Sequence, residues 1–200
     1  MRFPAFFRPL SLLLPLLLTA ELRADARLAE VARKQIGVTI LYDPAYVVLD
    51  YPGGDVEPDR GVCTDVIIRA LRELGYDLQK EVHEDMRKHF SSYPKNWGLK
   101  RPDRNIDHRR VPNLECFFQR KGWRVPVTDK AEDYLPGDIV TCLLGGTLPH
   151  IMIVSDRKDE KGIPLIIHNI GAGTQEEANV LDYEPTGHFR PELPLPVQKR

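Results

Sequence analysis

No sign of charge dominates this chain: 28 lysines and arginines stand against 29 aspartates and glutamates, for a formal net charge of −1. A molecule so balanced sets up no field that draws in nucleic acid or a lipid surface, so any charge preference must be local. Cysteine is scarce too. Cys63, Cys116 and Cys142 make an odd count, so disulfides within one chain cannot consume them all. Cys116 and Cys142 can pair and leave Cys63 free, or all three can be buried thiols; spacing does not decide. Also missing are the close Cys-x-x-Cys and His-Glu-x-x-His pairs that mark many zinc sites. Internal repeats, low-complexity tracts and a second apolar run of membrane length are absent as well.

What is present begins with Arg2 and Arg8, followed by an apolar run over 10–18 that only Ser11 and Pro15 interrupt. Positive charge followed by such a run, then small residues at Ala24 and Ala26, is the pattern of a secretory signal; residues 1–26 are read as that signal and Arg27 as the start of the mature chain. The run is shorter than the roughly 20 apolar residues a spanning helix needs. The expectation is therefore an exported protein, periplasmic or secreted, without stable membrane insertion after cleavage. Residues 27–200 are about one domain's worth of chain, enough for a single core without staples.

Apolar spacing predicts helices over 27–35, 62–74, 78–90 and 114–121, with Gly37 and Gly75 closing the first two. Residues 43–61 hold Pro44, Pro52-Gly53-Gly54 and Pro58 and read as loop; 94–112 reads as a polar, basic connection. Short apolar or β-branched runs at 123–127, 138–144, 151–155 and 165–168 read as strands. Helices first and an antiparallel sheet afterwards predict an α+β domain. The run at 151–154 is apolar without alternation, as a strand covered on both faces requires.

Cys63 falls in the first turn of the 62–74 helix, where unpaired N–H groups and the positive end of the helix dipole favour a thiolate. A nucleophile needs a base. His150 immediately precedes the 151–155 strand, and His168 ends the 165–168 strand. If the two strands form a hairpin through 156–162, antiparallel pairing makes the histidines neighbours, one as base and one as the group that orients it. Asp65 is read as complementing the start of its helix or as lining the site. Lys100 to Arg110 carries five basic side chains; Arg104, Arg109 and Arg110 are candidates to grip a carboxylate, against the plainer reading of a solvated loop with internal ion pairs. His83, His89, His108 and His188 lack a partner pattern and are read as surface residues.

Gly61-Val62-Cys63-Thr64-Asp65, then Leu135-Pro136-Gly137-Asp138-Ile139-Val140, then His150-Ile151-Met152-Ile153-Val154-Ser155-Asp156 and Ile167-His168-Asn169 resemble, in order, the motifs of the NlpC-type cell-wall cysteine peptidases. Over nearly all of the chain after residue 26 the sequence is more similar to the domain-of-unknown-function 1287 family of the same papain-like clan. The resemblance implies a papain-like fold with the nucleophile helix packed on a C-terminal sheet. It implies Cys63 as nucleophile, His150 as base and His168 as third member, with Asn169 as rival, and Tyr51 as a tyrosine near the thiol. The implied activity is that of a monomeric cysteine amidase or peptidase acting on peptidoglycan peptides with no cofactor. Where those peptidases show Asp-Cys-Ser-Gly, this chain has Val62-Cys63-Thr64-Asp65, and the 78–112 insertion is large. Alternatives from other classes are a catalytically inactive wall-binding module and a zinc hydrolase using Cys63, His150 and His168.

Overall fold

The computed structural model describes residues 24–193. Helices come first: α1 (Arg27–Arg33), α2 (Cys63–Glu73), α3 (Leu78–His89) and α4 (Val111–Arg120), with a two-residue parallel ribbon of β1 (Leu41–Tyr42) and β2 (Arg60–Gly61) before α2. Strands β3 (Ile139–Leu144), β4 (Leu148–Lys158), β5 (Pro164–Asn169), β6 (Thr174–Asn179) and β7 (Gly187–Phe189) follow and form one antiparallel sheet in the order β6-β5-β4-β3-β7. The architecture is α+β. The apolar core of β4 lies at the centre of this sheet. Ile151 and Ile153, with Ile139 and Ile167, pack against Leu28, Ile67, Leu71 and Phe118 of the helical layer. Met152 and Val154, with Val140, Cys142 and Ile166, pack under Tyr134 and Val180 on the other face. Both faces are covered, and each such side chain contributes roughly 1.5–3 kcal/mol on burial.

Three elements depart from the pattern of the sequence. β6 reads Thr-Gln-Glu-Glu-Ala-Asn, without apolar alternation, and forms by pairing with β5 at the sheet edge. The run at 123–127 is reduced to one bridge, Arg124 with Phe189, because Pro126 has no N–H for a ladder. Helix α4 starts at Val111 rather than 114, since Pro112 sits in its first turn, where its missing donor costs nothing.

The start of α2 is held from inside. Asp65 accepts the Val62 N–H at 2.6 Å and a two-pronged grip from Arg109, whose Nε and Nη2 both donate at 2.9 Å. The remaining Arg109 donors reach the carbonyls of Ala45 and Asp43, and Thr64 Oγ1 donates to the Arg109 carbonyl at 3.1 Å. The paired side chains are 2% and 3% exposed. Arg109 is thus the internal counter-ion of Asp65, which corrects its expected role as a substrate contact; residues Asp107–Arg109 form a buried 3-10 turn, not a solvated loop. Breaking a buried pair leaves a stranded charge, at a cost of about 3–5 kcal/mol. Arg109→Met is therefore expected to lower the stability read from urea unfolding by about that amount. The exposed Arg104→Met should change it by no more than about 0.5 kcal/mol. Equal effects of the two substitutions would contradict this account of the latch.

Candidate functional site

Cys63 is the first residue of α2 and is 5% exposed. Burial pushes its thiol up to about 12; the backbone N–H groups of Ile151, Thr64 and Cys63 itself work in the opposite direction, and the Asp65 charge adds to the rise. The thiol lines a cleft of about 360 Å³ whose walls include Tyr42, Trp97, Arg110, Leu148 and Pro149. Tyr42 pairs with Gly61 in the β1–β2 ribbon, which brings it beside the thiol, and its hydroxyl is raised first by burial and then by Cys63. The tyrosine at the thiol is therefore Tyr42. Tyr51, expected there, packs edge-on against His83 at 5.2 Å and under Arg104 at 5.6 Å, and neither Tyr51 nor Arg104 lines the cleft. The signal for Tyr42 lay in the apolar stretch just ahead of the Pro/Gly-rich loop, which is long enough to return beside the residue before the helix.

Of the three arginines considered as substrate contacts, only Arg110 stands in the cleft with a free edge. Its guanidinium lies 4.1 Å from the Trp97 ring centre, and Nη1 donates to Asp107 at 3.1 Å.

The two histidines meet. His150 lies opposite Cys142 in the ladder, while Ile153 pairs with Ile167 and Val154 with Ile166, a register that sets His150 and His168 diagonally on one sheet face. His150 Nε2 and His168 Nδ1 are 2.8 Å apart, and the residues are 2% and 0% exposed. Strand β4 begins at Leu148, so His150 is already inside the strand rather than before it. Cys63 belongs to the core cluster of the helical face, with Ile151 of this strand, and the Ile151 N–H is among the groups that act on its thiol. The imidazole itself leans toward the other face, with His168 and Tyr183 beside it. Because His168 occupies Nε2, Nδ1 of His150 is the ring nitrogen with no hydrogen-bond partner among the described residues. Burial, and next the charge of His168, lower His150 to about 3. The ring is neutral near pH 7.

Asn169 serves the same site differently. Its Nδ2 donates to the carbonyls of Gly61 at 3.1 Å and Leu41 at 3.4 Å, and its Oδ1 accepts the Gly171 N–H. It ties the ribbon ahead of Cys63 to the sheet, whereas the partner of His150 is His168. The ring nitrogens of His150 and His168 face each other rather than converge on an ion, and among the described residues no group of three or more His, Cys, Asp or Glu side chains is arranged to hold a metal. All three thiols are free.

Two histidines read as surface residues are buried: His108 at 2% and His188 at 1% exposure. His188 Nε2 meets Asp138 Oδ2 at 2.7 Å and its Nδ1 meets the Pro126 carbonyl at 3.0 Å, while Arg190 grips both Asp138 oxygens at 2.8 Å. Asp138 is buried, which alone would raise it, but these bonds bring its carboxyl below the usual range. The Pro-Gly-Asp step thus ends in an anchor that fastens β7 to β3.

Helix-start thiol, sheet-borne histidine pair and α+β order define the class of domain. Residues 29–191 match the model of the family described as domain of unknown function DUF1287, and the chain belongs to that family. It is also 53% identical over 176 residues to the uncharacterized protein YijF of Escherichia coli (strain K12), covering 88% of this chain and 86% of that protein. No solved structure matches it.

Burial lowers both His108 and His150 from an ordinary 6.5 to about 3. Between those values the unfolded chain binds protons that the native state excludes, so stability falls as pH drops from about 6.5 toward 3. The slope is about 1.4 kcal/mol per pH unit for each histidine. Urea unfolding at pH 7, 6 and 5 should show this loss, and His108→Gln and His150→Gln should each flatten it by about one proton. A slope unchanged by both substitutions contradicts the neutral, buried assignment.

Proposed function

We propose that this chain is an exported cysteine hydrolase, an amidase or peptidase of papain-like, NlpC-related type, that cuts amide bonds of peptidoglycan peptides. One observation carries the reading: the thiol at the start of α2 is influenced by the N–H of Ile151, next in the chain to His150, whose Nε2 lies 2.8 Å from His168 Nδ1. In this reading Cys63 is the nucleophile, His150 the base and His168 the orienter, in the motif order of the sequence. The cleft beside the thiol gives a peptide a place to lie.

With the thiol raised to about 12 and His150 lowered to about 3, the resting pair is uncharged. The proton moves when the sulfur attacks: His150 Nδ1 takes it as the S–C bond forms at the scissile carbonyl, and the carbonyl oxygen becomes an oxyanion. The Cys63 backbone N–H and a neighbouring donor hold that oxyanion, a contribution of about 3 kcal/mol for a single such donor. The new imidazolium gives its proton to the departing amine as the C–N bond breaks. Water, deprotonated by the same ring, then attacks the thioester, and the acid leaves as the thiol reforms. Substrate binding falls to apolar walls and one cation. Arg110, stacked on Trp97, offers its remaining donors to a carboxylate near the scissile bond, and wall peptides carry such groups.

Export rests on the charge and apolar run of residues 1–26, of which 1–23 lie outside the described residues. Among the described residues no helix is long and apolar enough to cross a membrane. The protein is read as a periplasmic or secreted monomer without nucleic-acid partners. A wall-binding module that has lost turnover is the second reading, and the deep burial of the thiol is the observation in its favour.

Incubation with purified wall fragments, followed by mass analysis of the products, separates the two. The parent is expected to release peptide fragments, and Cys63→Ala and His150→Ala to slow release by about 1,000-fold or more. Arg110→Ala should raise KM by about 10-fold on carboxylate-bearing substrates with kcat little changed. The same fragments from parent and Cys63→Ala would overturn the hydrolase reading.

A further inference from the structure

The hydrogen bond between His150 and His168 holds a single proton, and the side that carries it decides whether His150 can act as a base. With the proton on His150 Nε2, its Nδ1 keeps a lone pair. With the proton on His168 Nδ1, His150 Nε2 is the acceptor, its Nδ1 carries hydrogen, and it can take nothing from a thiol. Both arrangements fit the 2.8 Å separation equally well. The choice must come from the far nitrogen of His168.

That nitrogen is buried without a hydrogen bond of good geometry, and Glu177 Oε1 lies 3.4 Å from it. A carboxylate there accepts a proton and repels a lone pair, so it favours His168 with hydrogen on Nε2 and an acceptor at Nδ1. His150 then donates from Nε2 and keeps its lone pair on Nδ1. Glu177 opposes the lowering that burial imposes on His168.

The backbone of β6 puts Glu177 on this face. His168 pairs with Gln175 and Ile166 with Glu177, but Leu165 pairs with Asn179, so Ala178 is an extra residue. It has φ +51°, a left-handed conformation that costs a non-glycine residue energy. If the register at Leu165 and Asn179 ran on without the extra residue, Glu177 would fall opposite Ile167, on the face of the helices. The bulge shifts it to the face of the histidines and sets Glu176 on the helical face with Arg33.

We propose that Glu177 is a positioning residue that fixes the tautomer of His168, and through it that of His150, so that the His150 Nδ1 lone pair is kept for the thiol. The catalytic part of this inference rests on the hydrolase reading above; the tautomer part does not. Other titratable groups around the pair are Cys142 from β3, paired with His150, and Tyr183, whose ring stands edge-on to His168 at 5.6 Å.

The test is a nitrogen–proton correlation spectrum of the full chain with labelled histidine at pH 7.5, without substrate, for the parent, Glu177→Gln and Glu177→Ala. The parent should show hydrogen on Nε2 of both His150 and His168. Glu177→Gln keeps an acceptor oxygen and should preserve this state, whereas Glu177→Ala should move a substantial fraction of His168 to the Nδ1–H form. Glu177 is 44% exposed, so both variants are expected to fold, and the far-ultraviolet spectrum checks it. On wall fragments, Glu177→Ala should lower kcat by about 10- to 100-fold at unchanged KM, with Glu177→Gln between it and the parent. Identical histidine spectra in the parent and Glu177→Ala overturn the proposal. A tautomer shift in a protein whose Cys63→Ala variant still releases the same fragments supports the positioning role and rejects the hydrolase reading alone.

Discussion

The fixing of the start of α2, where Cys63 stands, organises this domain. Helix α2 packs over β4 with Cys63 and Ile151 in one core cluster, and three separate devices set the point at which it starts. Arg109 clamps Asp65 from beneath the first turn, Thr64 ties the same turn to the Arg109 carbonyl, and Asn169 fastens Gly61 to the end of β5. A buried ion pair is a poor choice for stability alone, because desolvating two charges consumes most of their attraction. Its value here is placement: the pair is two-pronged and direction-specific, whereas an apolar substitute would leave the helix start free to slide.

The electrostatics of the thiol follow from depth. The dipole at a helix start contributes about 0.3–1 kcal/mol to an anion near the surface, less than the cost of desolvating a thiolate in this core. Burial wins, and the thiol stays protonated. The neighbouring imidazoles are under the same constraint and stay neutral. In the proposed mechanism, charge on the sulfur and on the imidazole is therefore created only when a substrate brings an oxygen to the N–H groups.

Much of this was legible in the sequence. Cys63 at a helix start, a doubly covered strand after His150 and a hairpin bringing His168 alongside are all consequences of local pattern, and the structure contains each of them. What was hidden depends on contacts between distant segments. Arg109 looks like any member of a basic run until Asp65, 44 positions earlier, turns up against it. His188 and Asp138, 50 positions apart, conceal their pairing in the same way. The resemblance implies Tyr51 near the thiol, whereas the chain returns to Cys63 through the β1–β2 ribbon and brings Tyr42 there. β6 carried no apolar alternation at all, so neither the edge strand nor the bulge that re-aims Glu177 could be read from composition.

The claim that Cys63 acts as a nucleophile is tested most directly by stopping a reaction with wall peptide in acid and weighing the intact protein. The account predicts a transient mass increase equal to the acyl part of the substrate. Tryptic digestion should place it on the peptide that runs from Gly61 to Arg69 and contains Cys63. An adduct on Cys116 or Cys142, or product release at full rate with no adduct at any time point, would contradict it.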